Sequence, residues 1–213
     1  MNYKAYVFDF DYTLGDSTEG IVQCVNYALQ KLGMEERTTE EIRRTIGLSL
    51  KQTYRVLTND ENEQRAEVFS DYFKQKADEV MVANTQLYPE VKTILERLKK
   101  EGRKIGIVTT KYRYRITHIL DKFSAGNLVD VIVGGEDVSE PKPSPEGLLL
   151  AAERLETDRA EILYVGDSLV DAETAQRAGV VFAGVLTGTT TEEEFGRFPR
   201  AYIAQSVAEL LKK

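Results

Sequence analysis

Asp9 and Asp11 stand one residue apart in the string VFDFDYTLGDS, where an apolar run near the amino terminus gives way to a loop. In an extended segment residues i and i+2 face the same way, so the two carboxylates can aim at one shared point. Like charges held that close call for compensation, either a bound cation or a proton kept by one of the pair because its pKa is raised. The plain alternative is a pair of solvated acids at a strand end, and the rest of the chain weighs against it.

Three further polar groups occupy equivalent places. Thr109 and Thr110 follow the apolar run KIGIV, Lys142 lies in the loop string EPKPSP after the run VDVIV, and Asp167 and Asp171 follow ILYV in GDSLVD. If these runs are neighbouring parallel strands, all four groups fall on one edge of a sheet. That edge then collects a carboxylate cluster, a hydroxyl and an ammonium, which is the inventory for holding a divalent cation and a phosphoryl group.

The elements that must position them can be read from period and punctuation. Short β-branched runs end in turn or polar residues: AYVF before Asp9, KIGIV before Thr109, VDVIV before Gly134, ILYV before Gly166, VVFAGV before Leu186, and a weaker AYIA around Tyr202. Helical patterns separate them, an alternation that predicts a parallel sheet with crossover helices. From Pro89 to Lys100 a stripe of Val91, Ile94, Leu95 and Leu98 begins with a proline at a first-turn position and stops at Gly102. Ile116, Ile119, Leu120 and Phe123 form the next stripe, and Leu148 to Leu155 another.

Between residues 16 and 82 the strand pattern disappears and several amphipathic helices follow one another. Ile21, Val22, Val25, Ala28, Leu29 and Leu32 share a face between Ser17 and Gly33. Thr38 followed by Glu41 reads as a capping box, and a longer polar-faced helix is predicted from about Asp60 to Val80. The expected organisation is therefore an α/β core of residues 1–15 and 83–213 interrupted by an all-helical insertion, 16–82. Ligands of open α/β sheets bind beyond the carboxyl ends of the strands, so an insertion leaving the first strand there is expected to act as a lid.

Composition bounds the setting. The chain has 213 residues, 42% of them hydrophobic and 30% charged, with a formal net charge of −7. That is enough apolar material for a proper core, and the acidic balance with scattered Lys and Arg argues against a nucleic-acid surface. The one cysteine, Cys24, falls on the apolar side of a helical pattern and reads as a buried small hydrophobe, in keeping with a reducing cytoplasm. MNYKAYVF has no basic lead before a long apolar stretch, and no run of about 18 apolar residues occurs. The expectation is a cytoplasmic protein that is neither exported nor membrane-spanning. No signal for oligomeric state is present.

DFDYTL, VTTK, the lysine of EPKPSP and GDSLVD, in this order and with a helical insertion after the first, resemble the four motifs of the haloacid dehalogenase-like hydrolase superfamily. The resemblance covers essentially the whole chain and is to the branch of phosphoglycolate phosphatase-like and β-phosphoglucomutase-like enzymes. It implies a Rossmann-like parallel sheet flanked by helices, with a small helical cap. It also implies a Mg²⁺-dependent phosphatase acting on a small phosphorylated metabolite, Asp9 being the nucleophile that forms an aspartyl-phosphate. Asp11 would be the acid and base, a role that asks for a pKa elevated by neighbouring negative charge. Magnesium would be held by the Asp9 and Asp167 carboxylates and the Asp11 backbone carbonyl, with Asp171 supporting that shell. Thr109, Thr110, Lys142 and the amides of Phe10 and Asp11 would cradle the phosphoryl oxygens, Lys142 pairing with Asp9 as well. With the aspartates ionised and Mg²⁺ and Lys142 counted, the pocket carries roughly −1, and about zero once Asp11 is protonated.

The cap segment TIGLSLKQTY, with Gly47, Leu48 and Ser49, resembles the phosphatase pattern. The mutase pattern has an Arg where this chain has Leu50, a departure that favours hydrolysis over phosphosugar mutation. A receiver-like signalling module would share the acids, Thr and Lys, but is shorter, carries adjacent acids and has no cap.

Each residue also has a structural reading. Ser168 to Asp171 fits a helix capping box, and a lone loop lysine such as Lys142 is ordinarily solvated. Arg113 and Arg115 read as helix-surface charges, and His118, away from every motif, is given no catalytic part. Thr187 to Glu194 reads as a loop leading into a short helix. Neither GxGxxG nor GxxxxGK[ST] occurs, so dinucleotide and P-loop nucleotide binding have no support.

Overall fold

The first apolar run forms strand β1 (Ala5–Phe8), buried at every position because both faces of the strand are covered. A tight loop leads to the short strand β2 (Gly15–Asp16). The computed structural model describes residues 3–200 and 202–211. They divide into two compact units, one made of the residues up to Asp16 together with those from Leu87 onward, the other of Ser17–Gln86.

The second unit is helical: α1 (Thr18–Lys31), α2 (Thr39–Arg43), α3 (Leu50–Thr58) and α4 (Glu63–Val80). The capping box expected at α2 is formed, Thr38 Oγ1 accepting from the Glu41 amide and Glu41 Oε2 from the Thr38 amide. An equivalent box, Ser49 with Gln52, starts α3. It is the S-x-x-Q signature in the sequence, and it commits the Ser49 hydroxyl to the helix end. Gly47, two residues earlier, has φ 97°, a left-handed conformation that admits glycine without strain. The apolar faces close a core of their own around Cys24, Leu29, Ile42, Tyr54, Phe69 and Phe73, so the cysteine is buried as its place in the helical pattern suggests.

The chain returns through β3 (Gln86–Leu87) and continues with α5 (Val91–Lys100), β4 (Lys104–Val108), α6 (Arg113–Lys122) and β5 (Val131–Val133). It then runs through α7 (Glu146–Arg154), β6 (Ile162–Gly166), α8 (Leu169–Ala178), β7 (Val181–Val185), α9 (Glu192–Phe195) and β8 (Tyr202–Ala204). The last strand takes up three residues of AYIA, while Ala201 lies outside the described residues. As the alternation of patterns predicts, the six longer runs make one parallel sheet, in the order β5-β4-β1-β6-β7-β8. Among the described residues no helix is long and apolar enough to cross a membrane.

Strand order fixes where a ligand can go. From β1 the chain builds outward to β4 and β5 on one side, then to β6, β7 and β8 on the other. β1 is therefore the point where the winding reverses, and ligands of open α/β sheets enter the crevice at the strands' carboxyl ends beside such a switch. Asp9, Thr109 and Asp167 follow β1, β4 and β6, the three central strands.

Candidate active site

Asp9 extends the parallel ladder one residue beyond β1, its amide donating to the Val165 carbonyl at 2.8 Å. Thr109 does the same beyond β4, bonded to the Val133 carbonyl at 3.1 Å. Both residues are thus held by backbone pairing at the sheet edge. After Asp9 the chain curls tightly, and the Phe10 carbonyl accepts from the amides of Thr13, Leu14 and Gly15. Tyr12 sits at φ 57°, an uncommon conformation for a bulky residue that marks a locally strained turn. Its carbonyl accepts from the Thr187 hydroxyl.

Lys142 is not a solvated loop lysine. It is 6% exposed, and its ammonium donates to Asp9 Oδ1 at 2.7 Å and Asp171 Oδ1 at 2.6 Å, with the Tyr164 hydroxyl 3.4 Å away. Tyr164 itself donates to Asp171 Oδ1 at 2.8 Å. On the other oxygen of Asp171, Oδ2, Ser168 Oγ donates at 2.5 Å and the Ser168 amide at 3.2 Å, completing the capping box of α8. The two readings of S-x-x-D therefore coexist in one carboxylate, one oxygen for the helix end and one for the lysine. Asp167 Oδ1 accepts from Thr13 Oγ1 at 3.3 Å.

Oxygens of Asp9, Asp167 and Asp171 lie within 4.8 Å of one another, and all three residues are buried. Burial pushes the Asp9 carboxyl up to about 7 despite the pull of Lys142, with Asp171 adding to the rise. Asp167 is likewise held well above the usual carboxylate range, by burial first and then by Asp171 and Asp9. For Lys142 burial works against the charge, but Asp171 and Asp9 outweigh it and keep the ammonium protonated. The cluster has more carboxylate than Lys142 can balance. A hard divalent cation with oxygen ligands would relieve that excess, so the donor set fits Mg²⁺. Asp171 has both oxygens engaged, which leaves Asp9 and Asp167 as the better-placed ligands.

Two side chains that the motif reading passed over complete the site. Tyr164 is one, on β6 and fully buried. Burial, then Asp171, raises its phenol well above the usual range, so it is a donor at every working pH. Lys111 is the other. Its ammonium lies 2.5 Å from Asp11 Oδ2, where only neighbouring negative charge was expected. It adds a positive charge to the pocket count, and a lysine inside VTTK carries no periodicity or spacing that would have singled it out. Asp11 Oδ1 is buried without a hydrogen-bond partner. Thr109 Oγ1 accepts from the Lys111 amide at 3.2 Å, and the Thr110 carbonyl lies against Gly135, where a Cβ would come within 2.6 Å of it.

The other expectations divide. Arg113 is a surface charge, paired with Asp137 at 3.0 Å. Arg115 is not: it is 5% exposed, its guanidinium stacked over the rings of Tyr112 and Tyr114 at 5.2 and 5.1 Å. Both tyrosines precede it within one helical turn, so their nearness is local; the surface reading fails because spacing along a helix does not show that this arginine is buried. His118 packs edge-on against Tyr114. Gly47, Leu48 and Ser49 belong to the helical unit, at the turn before α3.

Residues 6–185 match the haloacid dehalogenase-like hydrolase family. Among curated proteins the chain is 33% identical over 186 residues to a phosphoglycolate phosphatase of Aquifex aeolicus, covering 87% of this chain and 85% of that one. It is 30% identical over 207 residues to the pyrophosphatase PpaX of Bacillus velezensis, covering 97% and 94%. Among solved structures, a protein described as a haloacid dehalogenase-like hydrolase from Bacteroides fragilis superposes with a TM-score of 0.95 at 45% identity, over 98% of this chain and all of that one. With the match running from β1 to the end of β7, the chain belongs to the haloacid dehalogenase-like hydrolase family.

Proposed function

We propose that the protein is a Mg²⁺-dependent phosphatase that hydrolyses a small phosphate monoester through an aspartyl-phosphate on Asp9. The observation that carries this reading is the buried contact of Lys142 with both Asp9 and Asp171 beside Asp167, at the carboxyl end of the central strands. Such a site offers a nucleophilic carboxylate, a fixed ammonium for a phosphoryl oxygen and an acidic pair for a cation.

Asp9 and Asp167, with the Asp11 backbone carbonyl, would hold Mg²⁺, which when bound neutralises the acidic pocket and polarises the phosphoryl group. An Asp9 oxygen attacks phosphorus, and Asp11 protonates the departing alcohol, then takes a proton from the water that hydrolyses the acyl phosphate. Lys142 keeps Asp9 oriented and meets the phosphoryl oxygens, with Thr109, Thr110 and the amides of Phe10 and Asp11 as further donors. Leu50 in place of the mutase arginine supports hydrolysis over phosphoryl transfer between sugar positions. The relatives' names put phosphoglycolate and pyrophosphate first among substrates to try.

The test is phosphate release from p-nitrophenyl phosphate and a panel of metabolite phosphates, with Mg²⁺ and with chelator. Turnover that needs Mg²⁺ and vanishes in Asp9→Asn is expected. A folded, Mg²⁺-loaded protein without phosphatase activity on any of them would refute the proposal.

A further inference from the structure

We propose that Lys111 is a positioning residue for Asp11: it grips Oδ2, so that Oδ1 is the oxygen that hands the proton to the leaving group. The inference rests on the phosphatase reading above and adds to it a residue and an atom. The asymmetry of Asp11 is its basis. Oδ2 is 2.5 Å from the Lys111 ammonium, while Oδ1 is buried and has no hydrogen-bond partner. A buried carboxyl oxygen left bare is costly unless something arrives to meet it.

The lysine is built in. Its side chain is 9% exposed and that of Asp11 8%, so neither is a surface group resting on the other. The loop that carries it is fixed by backbone contacts. The Lys111 amide donates to Thr109 Oγ1 at 3.2 Å, and its carbonyl accepts from the Gly135 amide at 2.9 Å. Residues 134 and 135 come so near that a Cβ on Gly134 would stand 2.9 Å from the Lys111 carbonyl oxygen and 2.4 Å from the Arg113 nitrogen. The ammonium is therefore delivered by a loop with little freedom to shift. Lys142 already serves Asp9, which leaves Lys111 to the acid.

In the step this arrangement supports, the bond from Asp9 to phosphorus forms as the bond from phosphorus to the leaving oxygen breaks. The electron pair goes to that oxygen, which takes the proton from Asp11 Oδ1. Asp11 is left as a carboxylate with Lys111 at its other oxygen. A leaving group that departs as a stable anion needs little of this help, whereas an alkoxide needs all of it.

The experiment compares p-nitrophenyl phosphate with 2-(4-nitrophenyl)ethyl phosphate, which carries the same ring on an alkoxide leaving group. Both are measured as kcat and KM on the Mg²⁺-loaded protein, unsubstituted and as Lys111→Met, Lys111→Gln and Lys111→Arg. In Lys111→Met, kcat for the alkyl ester is expected to fall roughly 10²-fold, the scale of acid catalysis, and for the aryl ester by less than about fivefold. Arg should recover most of the loss and Gln part of it. An alkyl-to-aryl ratio unchanged in Lys111→Met overturns the proposal, because equal losses place Lys111 in phosphoryl binding or in packing. If the Met variant does not fold, the ratio in Lys111→Gln decides in the same way. Turnover of the aryl ester by the unsubstituted protein tests the phosphatase reading separately.

Discussion

Gly188 lies against Asp167 so closely that a Cβ built on it would stand 1.9 Å from Asp167 Oδ2 and 3.1 Å from the Asp167 Cβ. The loop after β7 thus closes over an acid that follows β6, and only a residue without a side chain lets Asp167 keep its place. Gly188→Ala must swing the carboxylate aside. Mg²⁺ affinity is expected to drop roughly 10 to 100-fold, as for other disturbances of a ligand's support. The cost in stability should be only about 1–3 kcal/mol. Mg²⁺ titration followed by thermal shift, together with turnover, checks both. Unchanged Mg²⁺ affinity would remove Asp167 from the metal site.

Asp9 makes the metal-free protein pH-sensitive. Its folded-state pKa of about 7 lies above the ordinary 3.8, so the folded chain binds a proton that the unfolded chain has released. The stabilisation from this proton is complete below about pH 4 and is lost as the pH rises through about 7. Thermal melts in chelator should therefore fall across that window, and Asp9→Asn should make the fall smaller, the share of Asp167, also raised, remaining. Added Mg²⁺ competes with the proton, so its upward shift of Tm should be larger at pH 8 than at pH 6. A shift that is constant or shrinks over this range contradicts the assignment of Asp9 as a ligand.

Tyr164 donates to the same Asp171 oxygen as Lys142 does. Tyr164→Phe keeps the ring that packs near Phe182 and removes one hydrogen bond to a buried carboxylate. A loss of about 1.5–3 kcal/mol follows, or roughly 5 °C in Tm. KM for the phosphate ester should rise as Lys142 loses a neighbour that steadies it. Calorimetry and steady-state kinetics on the same preparation test the pair of effects.

Arg115, buried with its guanidinium over the rings of Tyr112 and Tyr114, predicts a stability effect with the fold's other features intact. Arg115→Ala should destabilise the protein by about 1–3 kcal/mol. Arg115→Lys should recover little, since an ammonium does not stack as a guanidinium does. Urea unfolding of the three proteins measures it. A substitution to Ala without effect would mean the guanidinium contributes nothing by lying over the two rings.

How much was readable depended on the range of each interaction. The runs AYVF, KIGIV, ILYV and VVFAGV declared themselves as strands because burial on both faces makes a short continuous apolar stretch, and a polar stop ends it locally. The Thr38–Glu41 box declared itself for the same reason, its partners being three residues apart. Even the edge on which Asp9, Thr109 and Asp167 gather followed from local order, since in a parallel sheet the carboxyl ends of all strands share one side. The family resemblance then attached roles to those positions.

What local order could not reach were contacts across long stretches of chain. That β1 lies between β4 and β6 is a matter of sheet pairing. Lys111 reaches Asp11 over 100 positions and Thr187 reaches the Tyr12 carbonyl over 175, while the pairing of Lys142 with Asp9 over 133 came from the family resemblance and not from local order. The need for glycine at 188, the burial of Arg115 and the phenol of Tyr164 within the lysine network are likewise products of packing. Motif and period carry the type of each side chain and its place along an element. Which neighbour it meets, and whether water is left around it, emerges only when the sheet, its helices and the loops at the strand ends close on one another.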